Sequence, residues 1–154
     1  MKRFASIVFA ACAVTLACGD DNGSGPSNLP MVFVADLRPA NEVPPVANAE
    51  SGGRGNAQIT IEGGAATIYF QLSGFPSDTR VVGAHIHTAG PGINGPIVVN
   101  TGISAASPLV LSNPIADFTS PRVTVDAAVL QAMVNNPLGH YFNVHSPLNP
   151  GGFA

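Results

Sequence analysis

Gln58-Ile59-Thr60-Ile61-Glu62-Gly63-Gly64-Ala65-Ala66-Thr67-Ile68-Tyr69-Phe70-Gln71-Leu72 is the stretch that decides the fold. From Gln58 to Glu62 apolar and polar residues alternate. In an extended strand that alternation puts Ile59 and Ile61 on one face. Gly63-Gly64 then supplies a two-residue turn, because glycine enters the positive-φ region without steric cost. The chain returns as a second strand from Ala65 to Leu72, so the sequence specifies an antiparallel hairpin.

The same grammar extends in both directions. Met31 to Leu37 is a β-rich run that stops at Arg38-Pro39. The segment from Asn41 to Val46 contains Pro44 and Pro45, which lack ladder donors, so it cannot be sheet interior. Strands are expected at Val81–Thr88, Ile97–Val99, Leu109–Leu111, Arg122–Val125 and His140–His145. Loops are expected at Ala89–Pro96 and Pro147–Gly152. Asp126 has the character of a helix N-cap for Ala127–Val134, and Asn135-Asn136-Pro137 should end that helix. The expectation is an all-β, antiparallel sandwich or barrel with one short helix in a connection.

Composition agrees with many turns around one core. Of 154 residues, 45% are hydrophobic and only 10% charged, with 17 Gly and 14 Pro, which suits a loop-rich β domain better than a helical bundle. The formal net charge is −3, which leaves no basic footprint for nucleic acid. Gly-x-Ser-x-Gly and phosphate-loop motifs are lacking, so the sequence offers no nucleophile elbow and no nucleotide cradle.

Residues 1–17 read as an export signal. Lys2 and Arg3 precede an apolar run from Phe4 to Leu16 that is too short for a stable bilayer span. Thr15-Leu16-Ala17-Cys18-Gly19 resembles the lipobox of bacterial lipoproteins, with Thr15 where that motif usually has Leu. The resemblance implies lipid attachment at Cys18; the alternative is simple secretion after cleavage near Ala11-Cys12-Ala13. Removing the signal leaves Cys18 as the lone cysteine, so no intrachain disulfide can form. It also leaves only Arg38, Arg54, Arg80 and Arg122 as cations, so any membrane attachment must come from lipid. Residues 18–30 (Cys18, then GDDNGSGPSNLP) read as the lipidated cysteine and a flexible tether, and residues 31–154 as the folded domain. Gly19, rather than Asp, follows Cys18, which favours outer-membrane retention in a diderm host.

Three of the four histidines fall in two short motifs, Ala84-His85-Ile86-His87 and Tyr141-Phe142-Asn143-Val144-His145. Strand parity puts Val82, Ala84 and Ile86 on one face and Gly83, His85 and His87 on the other. It likewise separates Phe142 and Val144 from Tyr141, Asn143 and His145. If the two strands are neighbours, His85, His87 and His145 converge on an outer surface, and His140 points elsewhere. Three imidazoles could hold copper or zinc. They could equally hydrogen-bond to backbone and hold the Gly90–Pro96 loop. The sequence marks no definite carboxylate for orienting the rings; Asp78 and Asp117 are the nearest candidates, and Asn143, Tyr141 and Asn94 are candidate supporting residues.

Asn41-Glu42-Val43-Pro44-Pro45, Ala84-His85-Ile86-His87, Asn94-Gly95-Pro96, Tyr141-Phe142-Asn143-Val144-His145 and Asn149-Pro150-Gly151-Gly152 occur in an order that resembles the CHRD domain. That module is named after chordin and is also found in bacterial extracytoplasmic proteins. The resemblance covers about Val32 to Gly152 and implies an immunoglobulin-like β domain of poorly defined molecular function. Members usually continue past the Gly-Gly into a further strand, whereas this sequence stops at Phe153-Ala154. A missing last strand would leave an edge open to association. The His-x-His strand also looks like that of copper/zinc superoxide dismutases, although the bridging His, the zinc Asp and the disulfide have no counterpart.

Three functions follow as expectations. The first is a lipid-anchored binding or structural module of the cell envelope with a protein or matrix partner and no chemistry of its own. The second is a copper- or zinc-binding protein using His85, His87 and His145. The third, least supported, is an oxidoreductase resembling superoxide dismutase.

Overall fold

A computed structural model describes residues 29–112 and 115–154. The export signal, Cys18 and nearly all of the tether lie outside the described residues. The hairpin is β2 (Arg54–Glu62) and β3 (Ala65–Ser73), antiparallel, with Glu62 opposite Ala65. Gly63 and Gly64 take φ of 53° and 77°, the two positive values that a tight turn matching strand twist requires. The alternation is realised as burial: Ala57, Ile59 and Ile61 face in from β2, and Ala66, Ile68, Phe70 and Leu72 from β3.

This hairpin is the middle of a five-stranded sheet. On one side β1 (Met31–Leu37) pairs with β2; on the other β3 pairs with β8 (Ile115–Thr119) and with the short β9 (Val123–Thr124). A second, three-stranded sheet has the order β10-β5-β6, from β5 (Gly83–Thr88), β6 (Ile97–Asn100) and β10 (His140–His145). A two-stranded piece joins β4 (Thr79–Val81) to β7 (Leu109–Leu111). All pairs are antiparallel. The molecule is an all-β sandwich. Its core lies between the sheets, where Phe70 of one meets Phe142 of the other at 5.6 Å between ring centroids.

Helix α1 spans Ala127–Asn135. Asp126 caps it, its carboxylate accepting from the amides of Ala128 (2.8 Å) and Val129 (3.4 Å). These bonds satisfy amides that lack a partner in the first helical turn. Met133 is the one α1 side chain fully buried in the core.

Three details depart from the sequence reading. The strand expected over Val81–Thr88 is broken at Val82. Its amide donates to the His145 carbonyl at 2.9 Å, while Val81 belongs to β4 and Gly83 to β5, in different sheets. The strand expected over Arg122–Val125 contracts to two residues. Strand β8 was not foreseen, because only Ala116 and Phe118 face the core and its ladder comes entirely from β3. At the other end, Phe153 and Ala154 are buried beside β10. The Phe153 amide donates to the Val144 carbonyl and the Val144 amide to the Ala154 carbonyl, both at 2.7 Å, covering part of that strand's outer edge.

Candidate metal centre

Strands β5 and β10 pair in the register that brings the two histidine motifs together. His87 stands opposite Tyr141, His85 opposite Asn143, and Gly83 opposite His145. Residues directly opposite share a face, so His85, His87 and His145 share one side of this sheet. Ala84, Ile86, Phe142 and Val144 take the other and enter the core. His140 also takes the core side, where it is buried and pairs its Nδ1 with the Asn136 carbonyl at 3.1 Å.

One ligand nitrogen from each of His85, His87 and His145 lies within 4.8 Å of the others. Ring centroids are 5.0 Å apart for His85–His145, 5.9 Å for His85–His87 and 6.1 Å for His87–His145. Gly83 makes this approach feasible. A Cβ there would stand 2.9 Å from Cε1 of His85 and 3.4 Å from Cδ2 of His145. The rings are partly covered: His87 is 8% exposed, whereas His85 and His145 are half-buried.

The loops fix the rings. Nδ1 of His87 donates to the Gly95 carbonyl at 2.8 Å, and Nδ1 of His145 to the Pro150 carbonyl at 3.1 Å. A carbonyl only accepts, so in a neutral ring each bond puts the proton on Nδ1 and leaves the Nε2 lone pair free. Those two Nε2 atoms are buried and receive no hydrogen bond from the protein; the same holds for Nδ1 of His85. Holding loops and offering ligand atoms are therefore not competing roles. They use opposite nitrogens of the same ring, as metal-ligating histidines commonly do.

Burial favours the neutral form of two of the rings. Burial, then the neighbouring His145 and His87, push His85 down to about 4. His145 is also lowered, chiefly by burial, with the Pro150 carbonyl opposing and His87 adding to the effect. Neutral imidazole is the form that binds metal.

The supporting residues have distinct positions. Tyr141 stacks on His87, with centroids 4.9 Å apart and planes 10° from parallel, and its hydroxyl accepts from the Gly95 amide at 3.1 Å. Asn143 is buried; its amide nitrogen donates to the Gly151 carbonyl at 3.4 Å, and Gly152 packs so closely that a Cβ there would overlap the Asn143 amide. Asn94 stands exposed on a cleft lined also by Asn41, Glu42, Tyr141 and Asn143. Among the described residues no Asp, Glu or Cys joins the three imidazoles. Asp117 is on β8 of the other sheet and Asp78 in the turn before β4.

Two features escaped the sequence. Burial raises the Glu42 carboxyl to about 7, partly opposed by the Asn143 amide. Glu50, 4% exposed, accepts from the Ser146 hydroxyl at 2.7 Å and from the Asn149 amide. Asn149 also exchanges hydrogen bonds with Asn48, at 2.8 and 3.3 Å. This knot anchors the 146–150 loop whose Pro150 carbonyl holds His145. No local pattern marks it, since its members are separated by about a hundred residues in the chain.

A family model described as the CHRD domain matches residues 33–153. No curated protein matches the chain, and no solved structure does.

Proposed function

The chain belongs to the CHRD-domain family, and from that premise we propose that it is a metal-binding module of the cell envelope, taking copper or zinc at His85, His87 and His145. One observation carries the reading: the three rings bring ligand nitrogens within 4.8 Å of one another, and each ring has a buried nitrogen that receives no hydrogen bond from the protein. Leaving buried acceptors unmatched costs about 1–3 kcal/mol each. Bond distances near 2.0–2.1 Å would need the nitrogens to close to roughly 3.4 Å. Ring rotation would have to supply that closure from separations of up to 4.8 Å. The test is competitive titration of the purified chain with zinc and with copper against chromophoric chelators. One equivalent should be retained by the wild type and none by His85→Ala. Equal retention by both, or none by the wild type, rejects the site.

The envelope location rests on the N-terminal sequence: an export signal over 1–17 and lipid attachment at Cys18. The Cys18→Ala chain should move from the membrane fraction to the soluble fraction. Unchanged partition would remove the anchor from the proposal. A purely structural module with a protein or matrix partner is the second reading. The Nδ1 bonds of His87 and His145 to loop carbonyls favour it, because they order the loops whether or not metal binds. Superoxide chemistry gains no support, since among the described residues no carboxylate joins the imidazoles.

A further inference from the structure

The donor set has a charge and a coordination number, and both discriminate among metals. Resting on the metal-binding reading above, we infer that the site selects monovalent copper, bound by three imidazoles in a trigonal arrangement, over zinc or divalent copper.

The first argument is charge. The three ligands are neutral rings, and no Asp, Glu or Cys joins them among the described residues. Both ring-orienting partners, the Gly95 and Pro150 carbonyls, are neutral as well. The Glu42 carboxyl bonds Asn143, and the Glu50 carboxylate is met by Ser146 and Asn149. A cation here is therefore desolvated without an anionic ligand. The solvation lost on burial scales with the square of the charge, so a divalent ion loses about four times as much as a monovalent one.

The second argument is coordination number. Zinc in proteins is almost always four-coordinate, and divalent copper seeks tetragonal nitrogen and oxygen ligands. A fourth ligand would have to be a side chain or water. The Tyr141 hydroxyl accepts from the Gly95 amide, and Asn100, opposite His85 on β6, accepts from the Gly102 amide through its side-chain Oδ1. Asn143, opposite His85, spends its amide nitrogen on the Gly151 carbonyl; its Oδ1 is buried without a hydrogen-bond partner and lies against Gly152, so a fourth ligand from this side chain is the outcome that the absorption measurement below must exclude. The donor nitrogens are shielded from solvent, so a metal-bound water would need that shielding to open. Cuprous ion, a closed-shell d¹⁰ centre content with three ligands, needs neither.

The inference is tested by two titrations of the full chain. One is anaerobic, with Cu(I) competed by bicinchoninate; the other uses Zn(II) competed by a chromophoric zinc chelator. X-ray absorption on the copper-loaded protein completes the set. Expected are one Cu(I) per chain, a dissociation constant about 100-fold or more below that for zinc, and a three-nitrogen shell near 2.0 Å. His85→Ala should abolish Cu(I) retention; His85 holds no loop, so its loss leaves the loop bonds of the other two rings in place. Zinc bound as tightly as Cu(I), or a fourth light-atom ligand on copper, overturns the selectivity while leaving a metal site. Failure of every metal to bind overturns both.

Discussion

Two buried polar clusters lie on either side of Pro150, and they are built on opposite terms. In the Glu50 knot the carboxylate is met by Ser146 and Asn149, and Asn149 in turn by Asn48. In the imidazole trio each ring offers an inward nitrogen that the protein leaves unmatched. A satisfied network contributes stability and fixes geometry, whereas an unsatisfied one costs stability unless something else completes it. The contrast separates a cluster that holds structure from one that the proposed metal would complete. The Pro150 carbonyl connects them, since the loop fixed by the first orients a ring of the second.

The largest effect should come from breaking the satisfied cluster. Glu50→Ala strands Ser146 and Asn149 in a buried site and should lower unfolding free energy by about 3 kcal/mol, read from urea denaturation. A loss below about 1 kcal/mol would mean the knot is not structural. Next, metal at a hundred times its dissociation constant should stabilise the wild type by about 2.7 kcal/mol. Differential scanning should show that gain vanish in His85→Ala. In metal-free protein the same substitution should cost less than about 1 kcal/mol, because it removes an unmatched acceptor rather than a partner.

A third test uses pH. His85 sits near 4 in the folded chain against an ordinary 6.5. The unfolded chain therefore takes up its proton first, and stability falls as pH drops from 6.5 towards 4. Glu42 sits near 7 against 4.5. The unfolded chain releases that proton first, so stability falls as pH rises from 4.5 to 7. Thermal melts across this range should show Glu42→Gln flattening the alkaline side and His85→Ala the acid side. If either variant keeps the wild-type profile, its group is not titrating as its burial dictates. The smallest effect is expected from Tyr141→Phe, which loses only the acceptor for the Gly95 amide. About 0.5–1 kcal/mol is expected from chemical denaturation, with the stack on His87 retained.

Much of the framework was legible because it is local. Alternation across Gln58–Leu72, two turn glycines and the Asp126 cap each act within a few residues, and strand parity separates His140 from the other three histidines. Val82 was not legible: its own residue type is β-forming, and only its bond to the His145 carbonyl moves the chain between sheets. Strand β8 was missed for a related reason, since a short edge strand carries little periodic signal. The choice between loop-holding and ligand-bearing histidines was posed by the sequence as exclusive. The structure shows each of two rings carrying a loop bond on one nitrogen and an unmatched lone pair on the other.

By itself the sequence determined the fold class, the central hairpin, the capped helix and the common face of His85, His87 and His145. Backbone periodicity and turn chemistry are properties of neighbouring residues. Only the tertiary structure decided that β5 and β10 pair in register, that loop carbonyls hold two of the rings, and that Glu50 meets Asn149 across the chain. Those outcomes depend on which distant groups share a desolvated volume, and a buried donor or acceptor acquires its energetic meaning from that company alone.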